Sequence, residues 1–398
     1  MINLLTYTSL YPNSIQTRHG IFIENRLRQL VTSGEVMTSV LSPVPWFPLK
    51  SEIFGSYQQF AQIPVYENRY GIDITHPRFA LIPKIGMSLA PWLMAAATYR
   101  VAKALFINKQ FQLIDAHYFY PDGVAAVLLG KWLGCPVVIS ARGTDINLIP
   151  EYLLPRRMII WAAEQAKAII TVSQSLKDRL ISLGASNKKI TVLPNGVDSQ
   201  LFQPMNRTLL RKQHKLNQPT LLFVGNLIPL KGVDLIIQAL AKLPDYKLIV
   251  VGDGSEKTKL QKLATSLHVS DRIQFVGTLT QPELVEYYTI ADILLLPSSR
   301  EGCANVLLEA LSCGTPVIAT AVGGSPDIVA DPNAGLIIQQ RTATALTAAI
   351  LQLSSNLPDS LNVREYAQRF SWSPVIREQI DIYQTVINNH QARRTLSD

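Results

Sequence analysis

Charge is scarce in this 398-residue chain. Asp, Glu, Lys and Arg make up 17% of it, against a hydrophobic fraction of 47%. So little charge on so apolar a chain excludes intrinsic disorder. Cysteine is rarer still. Cys135, Cys303 and Cys313 form an odd set with no Cys-x-x-Cys and no metal-ligand spacing, which argues for a reducing compartment and against structural zinc. No Lys or Arg precedes Arg18, so the positive flank of a secretory signal is missing. The apolar run at residues 85–99 contains Pro91 and falls short of the roughly 20 residues that cross ~30 Å of hydrocarbon. These absences point to a cytoplasmic protein, peripheral at most at the inner face of a membrane. No Gly-x-Gly-x-x-Gly follows the first apolar run, which excludes a dinucleotide-dependent dehydrogenase.

Acidic residues are unevenly short. Residues 1–216 carry 23 basic and 12 acidic side chains, a net of +11, whereas the remainder carries 14 and 17, a net of −3. A basic first half suits an anionic partner, or simply a solvated surface. The basic residues are scattered and not interleaved with aromatics, so nucleic acid is not an expected partner.

Short apolar runs alternate with longer helical ones. Strands are expected at 1–7, 35–41, 111–116, 136–140, 168–172 and 190–193, and again at 220–224, 247–251, 273–276, 293–296 and 316–319, with helices such as 233–242 between them. This rhythm predicts an α/β protein of two Rossmann-like, doubly wound domains facing a cleft. The expected boundaries are a first domain at 1–198, a linker at 199–219 where the apolar pattern weakens, and a second domain at 220–373. A C-terminal helix at 374–398 would be free to pack back on the first domain.

Two loops carry most of the chemistry. Ser298 to Ala310 follows the apolar run 293–296 directly, and places Glu301 eight residues before Glu309. A helix starting near Ala304 would offer its free N–H groups, with the loop residues Cys303, Ala304, Asn305 and Val306, to a phosphate. Glu301 would sit beside that phosphate, and Glu309, roughly 12 Å further at 1.5 Å per residue, would reach a ribose. Two hydroxyl-seeking acids around an anion binder fit a nucleotide-sugar, although spacing alone equally allows two solvated acids. The second loop, Gly225-Asn226-Leu227-Ile228-Pro229-Leu230-Lys231-Gly232, joins 220–224 to the next helix. Glycines at its ends allow close backbone approach, and Lys231 supplies a mobile cation for a diphosphate.

Together these motifs resemble the retaining, nucleotide-sugar-dependent glycosyltransferases of the GT-B fold, in the group-one or family-four class, and within it the bacterial polysaccharide-synthesis members. The resemblance rests on Glu301-Gly302 with Leu308-Glu309-Ala310, on Gly314-Thr315-Pro316-Val317-Ile318-Ala319, on Gly225 with Lys231-Gly232, and on Leu193-Pro194-Asn195-Gly196-Val197-Asp198. It implies a donor site in the second domain and an acceptor site in the first, with Glu301, Lys231 and His117 as catalytic residues. The co-substrate would be a nucleotide-sugar, with no further cofactor and no metal. The acceptor would be a sugar, a lipid-linked or another small molecule. Gly20 would let backbone approach the substrates. Arg142 and Asp145, in Ser140-Ala141-Arg142-Gly143-Thr144-Asp145, would stand on the acceptor side, Asp145 equally well as a structural cap.

One position departs from the family pattern. Asn226 stands where an arginine is usual, so Lys231 and the helix N-terminus would carry more of the diphosphate charge, with Arg300 either filling in or merely solvated. The segment 82–106, with Trp92, Leu93 and Met94 between basic flanks, fits a membrane-surface helix or a helix packed in the first domain. Two other functions share the two-domain plan: a nucleotide-sugar 2-epimerase and a non-catalytic nucleotide-sugar-binding protein. The paired glutamates ahead of the Gly-Thr-Pro turn favour the transferase.

Overall fold

A computed structural model describes residues 1–47, 57–80 and 86–395. The chain divides into unit 1, made of Met1–Pro194 and Val375–Asp398, and unit 2, Asn195–Pro374.

Unit 1 contains β1 (Ile2–Tyr7), β2 (Val36–Leu41), the short β3 (Val44–Pro45), β4 (Tyr66–Arg69), β5 (Ile72–Thr75), the short β6 (Arg78–Phe79), β7 (Leu113–His117), β8 (Val137–Ala141), β9 (Ala168–Thr171) and β10 (Ile190–Val192). The main sheet has the order β10-β9-β8-β7-β1-β2-β5-β4, parallel except for β4 against β5, while β3 pairs with β6. The central β7 and β8 are buried at every position, as apolar strands covered on both faces must be. The β4–β5 hairpin is absent from the sequence reading because its polar alternation, Tyr-Glu-Asn-Arg, lacks an apolar run.

Unit 2 holds β11 (Thr220–Val224), β12 (Lys247–Val251), β13 (Ile273–Gly277), β14 (Ile293–Leu296), β15 (Val317–Thr320) and β16 (Gly335–Ile338) in one parallel sheet, ordered β13-β12-β11-β14-β15-β16. The helix Val233–Leu240 buries Val233, Ile236, Ile237 and Leu240, a single stripe laid on the sheet. The expected linker at 199–219 is a correction. Phe202, Leu210 and Leu216 are buried in the unit 2 core, and the helix Arg207–Gln213 is fastened through Arg207 and Arg211 to Asp292. A few well-placed apolar side chains suffice to bury a segment that looks polar on average.

The long helix Trp372–Thr395 carries the chain back, and its residues from Val375 onward belong to unit 1. There Gln379 and Tyr383 are wholly buried. No helix among the described residues is long and apolar enough to cross a membrane.

Candidate active site

In unit 2 the chain leaves β11 towards β12 on one side, while β14 lies on the other. Between the carboxyl ends of β11 and β14 the strand order reverses, and such a switch point is where open α/β sheets leave a crevice for ligands. The loop after β11 brings Lys231 there, and the loop after β14 brings Glu301. Their side chains meet, with Lys231 Nζ 2.6 Å from Glu301 Oε1. The two loops are also stitched together by backbone. Ser299 N–H donates to Leu230 O at 2.8 Å, and the Arg341 fork donates to Pro297 O at 2.8 Å and to Pro229 O at 3.0 Å. Gly232 sits at φ 71°, and a Cβ there would lie 2.5 Å from Pro297 O, so the close approach of the loops requires glycine. Sequence reasoning missed Arg341, which lies far along the chain in no recognisable motif.

The helix Asn305–Ser312 follows, and Ala304 at its N-cap makes no side-chain cap bond. The Asn305 side chain accepts from Asn195 Nδ2 at 2.9 Å. Cys303 and Val306 are half-buried and Ala304 is buried. Glu309 faces inward. It is 8% exposed, its Oε2 accepts from the Tyr288 hydroxyl at 2.7 Å, and burial raises its carboxyl above the ordinary range. Tyr288, 21 residues earlier, could not have been matched to it from spacing. Gly225 is held by its N–H to Val251 O at 3.0 Å, and Asn226 is exposed.

In unit 1 the corresponding edge is formed by the carboxyl ends of β1, β7 and β8. Gly20 starts the helix Ile21–Thr32 at φ 71°, where a Cβ would fall 2.2 Å from Leu10 O. Its close approach is therefore to its own loop. His117 ends β7 and is wholly buried. Its Nε2 lies 2.8 Å from Asp115 Oδ2, and its Nδ1 contacts Arg142 Nη2. A guanidinium only donates, so Nδ1 is the acceptor and Nε2 carries the proton. Burial lowers the imidazole pKa, Asp115 opposes this, and Arg142 lowers it further. His117 is therefore neutral with both nitrogens engaged. The histidine expected to be catalytic thus has Asp115 and Arg142 as its partners in this structure. Arg142 is 8% exposed, packs its guanidinium 5.7 Å from the Phe22 ring centre, and is pushed down to about 9 by burial, then by Arg26.

Asp145, expected on the acceptor side or as a structural cap, is fully buried and accepts from the N–H groups of Phe119 at 2.7 Å and Gly143 at 2.7 Å, and from Arg142 N–H, so it caps the loop. Beside this edge lies a cavity of about 270 Å³, bounded by His19, Leu10, Val44, Phe60, Phe79 and Met94 among others. Several of its polar neighbours are already engaged: Ser9 with Asp122, and Gln16 with Gln59.

Comparison with known proteins identifies the family. Residues 206–370 match the family described as Glycosyl transferases group 1, and residues 59–201 match Glycosyltransferase Family 4. The chain is 32% identical over 365 residues to the D-inositol 3-phosphate glycosyltransferase of Mycolicibacterium smegmatis, covering 86% of this chain and 83% of that one. It is 28% identical over 393 residues to the putative teichuronic acid biosynthesis glycosyltransferase TuaC of Bacillus subtilis, covering 97% and 94%. The chain belongs to the glycosyltransferases. The fold of this glycosyltransferase superposes on Anabaena HepE, solved in complex with UDP, with a TM-score of 0.75 at 20% identity over 97% of this chain and all of that one. It superposes on sucrose-phosphate synthase of Thermosynechococcus elongatus with a TM-score of 0.77 at 19% identity, over 98% of this chain and all of that one. The architecture is GT-B, with two Rossmann-like domains.

Three details of the transferase follow from its geometry. Arg300 is half-buried and makes no ion pair among the described residues. Among the described residues no group of three or more His, Cys, Asp and Glu is arranged to hold a metal ion. In the helix Gly86–Lys109, Met87, Leu89 and Trp92 are exposed, whereas Met94 is wholly buried and Leu93 half-buried, so Trp92, Leu93 and Met94 do not share one exposed face. Ile82 and Lys84 lie outside the described residues.

Proposed function

We propose that this glycosyltransferase moves a sugar from a nucleotide-diphosphate sugar to an acceptor hydroxyl, with retention of anomeric configuration, in the synthesis of a cell-surface polysaccharide or glycolipid. The observation that carries the reading is the Lys231–Glu301 pair at the switch point of unit 2. The solved complexes of HepE with UDP and with UDP-glucose support a nucleotide-sugar as donor, and the name of TuaC supports the polysaccharide setting.

In this reading unit 2 takes the donor. The bond from the anomeric carbon to the diphosphate oxygen breaks, and Lys231 with the N–H groups at the start of Asn305–Ser312 stabilises the negative charge that develops on the leaving phosphate. Glu301 orients the sugar and opposes the positive character of its ring. The acceptor oxygen bonds to the anomeric carbon on the face the diphosphate leaves, and its proton passes to the departing phosphate oxygen. The nucleotide-sugar is the sole co-substrate besides the acceptor, and no metal enters these steps. Unit 1 takes the acceptor, with Arg142 and the apolar cavity at its edge. The exposed Met87, Leu89 and Trp92 favour a peripheral contact with a membrane that carries a lipid-linked acceptor.

The test is a panel of UDP-, GDP- and ADP-sugars, read by thermal shift and by nucleoside diphosphate release. A donor that binds the native state raises the melting temperature, and slow diphosphate release from it is the expected result. Interconversion of sugar isomers would replace this reading with an epimerase, and binding without turnover would replace it with a carrier.

A further inference from the structure

Two loops of unit 2 present the Lys231–Glu301 pair, and one side chain from a third part of the chain bridges them. Arg341 stands in the turn between β16 and the helix Ala343–Ser355 and is half-buried. Its Nε donates to Pro297 O at 2.8 Å. Its Nη2 donates to Pro229 O at 3.0 Å and, more loosely, to Leu230 O at 3.5 Å. Pro297 is the first residue after β14, and Glu301 follows in the same loop. Pro229 and Leu230 belong to the 3₁₀ turn that ends in Lys231. A single planar guanidinium therefore spans the loop that carries the ammonium and the loop that carries the carboxylate.

The acceptors explain why a guanidinium stands here. Carbonyls at the end of a helical turn lack a partner in their own element, and Pro297 O lies beyond the end of its strand. A cation with diverging N–H groups satisfies both at once, at a spacing set by its rigid fork. The contact is close: a Cβ on Gly232 would lie 2.8 Å from Arg341 Nη2. The Glu301 loop is also held by the loop after β15, where Gly324 N–H donates to Gly302 O at 2.9 Å and a Cβ on Gly323 would fall 2.1 Å from Glu301 O. The Lys231 loop is anchored at its start, where Leu227 N–H donates to Asp253 O at 2.9 Å. Nearer Lys231, its bonds across to the other loop are those of Arg341, the ion pair itself, and Ser299, which reaches Leu230 O with its N–H at 2.8 Å and its Oγ at 3.3 Å.

We infer that Arg341 is a positioning residue for sugar transfer: it locks the turn before Lys231 onto the strand end before Glu301, and so sets where the ammonium and the carboxylate stand when a donor binds. It acts through backbone carbonyls of both loops. The effect on turnover rests on the proposed roles of Lys231 and Glu301, whereas the tie between the loops does not. Positive charge alone is not what this geometry uses. Nε and Nη2 serve different loops, and an ammonium, whose donors share one nitrogen, does not reproduce that spacing.

The experiment compares the full chain with Arg341→Ala and Arg341→Lys, by amide hydrogen exchange and by steady-state kinetics with whichever UDP-, GDP- or ADP-sugar the wild type accepts. The Ser299 amide should exchange about tenfold faster in both variants, as a locally opened loop does, while the amides of β11 and β14 exchange as in the wild type. The kcat should fall about 10- to 100-fold, since a small misplacement of reacting groups is costly, with the donor KM less affected. Truncation to Ala joins the vacated space to a cavity of about 570 Å³ bounded by Leu235, Gln238, Lys242, Leu267 and Thr344, which admits free guanidinium. Millimolar guanidinium should therefore slow Ser299 exchange and raise kcat in Arg341→Ala, and do neither in Arg341→Lys. A merely structural role predicts no such rescue, because guanidinium otherwise loosens a fold. Should Arg341→Ala not fold, Arg341→Lys carries the exchange and kinetic comparisons. Ser299 exchange that matches the wild type in the variants overturns the inference, and so does faster exchange with unchanged kcat. A wild type that transfers from no donor sinks the proposed function, and the tie between the loops then stands or falls on Ser299 exchange, which is read without turnover.

Discussion

Lys231 and Glu301 are 70 residues apart in sequence and 2.6 Å apart in space, and each is the other's partner. The pair is partly exposed, so its worth to folding is that of a surface ion pair, ~0–1 kcal/mol. A charge-assisted contact to a leaving phosphate is worth about 1.5–3 kcal/mol. Lys231→Ala should therefore lower kcat/KM for the accepted donor roughly 10- to 150-fold, with the melting temperature within about 3 °C of wild type. Steady-state kinetics beside calorimetry checks both halves, and unchanged turnover removes Lys231 from the site. Asp122 makes a pH prediction. It is fully buried under Ser9, and burial, with Asp145 nearby, pushes its carboxyl up to about 7 against the pull of the Ser9 hydrogen bonds. The folded state thus holds this proton more tightly than the unfolded chain. Its stabilising contribution is complete below about pH 4 and is lost as the pH rises through about 7. Asp122→Asn keeps an acceptor for Ser9 N–H and replaces the oxygen that accepts from Ser9 Oγ with an amide that can donate to it, and should flatten the decline in the urea midpoint between pH 5 and 8. Parallel curves for the two proteins would contradict the assignment.

At the scale of an element, the helix Gly86–Lys109 divides its apolar residues between the core and the surface, and the exposed ones carry the proposed membrane contact. Met94 and Ala95 face the core at zero exposure, while Trp92 is 50% exposed. Met94→Ala should cost about 2–5 kcal/mol of stability, as large-to-small core changes do, and leave vesicle binding intact. Trp92→Ser should do the reverse. Co-sedimentation with anionic and neutral liposomes at two salt concentrations separates the forces, since attraction through Arg100 and Lys103 is screened over ~8 Å at physiological salt while apolar insertion persists. Binding to neither lipid at low salt would leave a soluble acceptor.

For the whole molecule, the return of the last helix matters most. It supplies Gln379 to the fully buried Arg26, and a buried donor that loses its acceptor is destabilising by ~1–3 kcal/mol, more for a charged group. Ending the chain after Pro374 should lower the unfolding temperature of unit 1 by roughly 5 °C or more. Unit 2, whose core is formed by residues 197–370, should keep its transition and its upward shift with nucleotide. Differential scanning calorimetry with and without UDP tests this, and an unchanged unit 1 transition would show that the helix is dispensable to it.

Periodicity in the sequence is enough for the alternation of strands and helices, because parallel strands covered on both faces read as apolar runs and their helices as single stripes. β1, β11 and β14 fall within a residue of where the pattern puts them. Loop composition likewise points to Lys231, Glu301 and Gly232, which the structure brings together: Lys231 meets Glu301, and Gly232 allows the two loops to approach closely. Local pattern cannot say which distant groups meet. That Glu309 is held by Tyr288, that Arg341 joins two loops, that Asp145 is consumed by backbone N–H groups, and that His117 is shut between Asp115 and Arg142 all depend on strand order and on burial. The same holds for residues 199–219. Their few apolar side chains look like a linker until the sheet of unit 2 provides a surface on which Phe202, Leu210 and Leu216 are buried. Tertiary structure decides these points because hydrogen-bond partners and desolvation are properties of three-dimensional neighbours, which spacing along the chain does not encode.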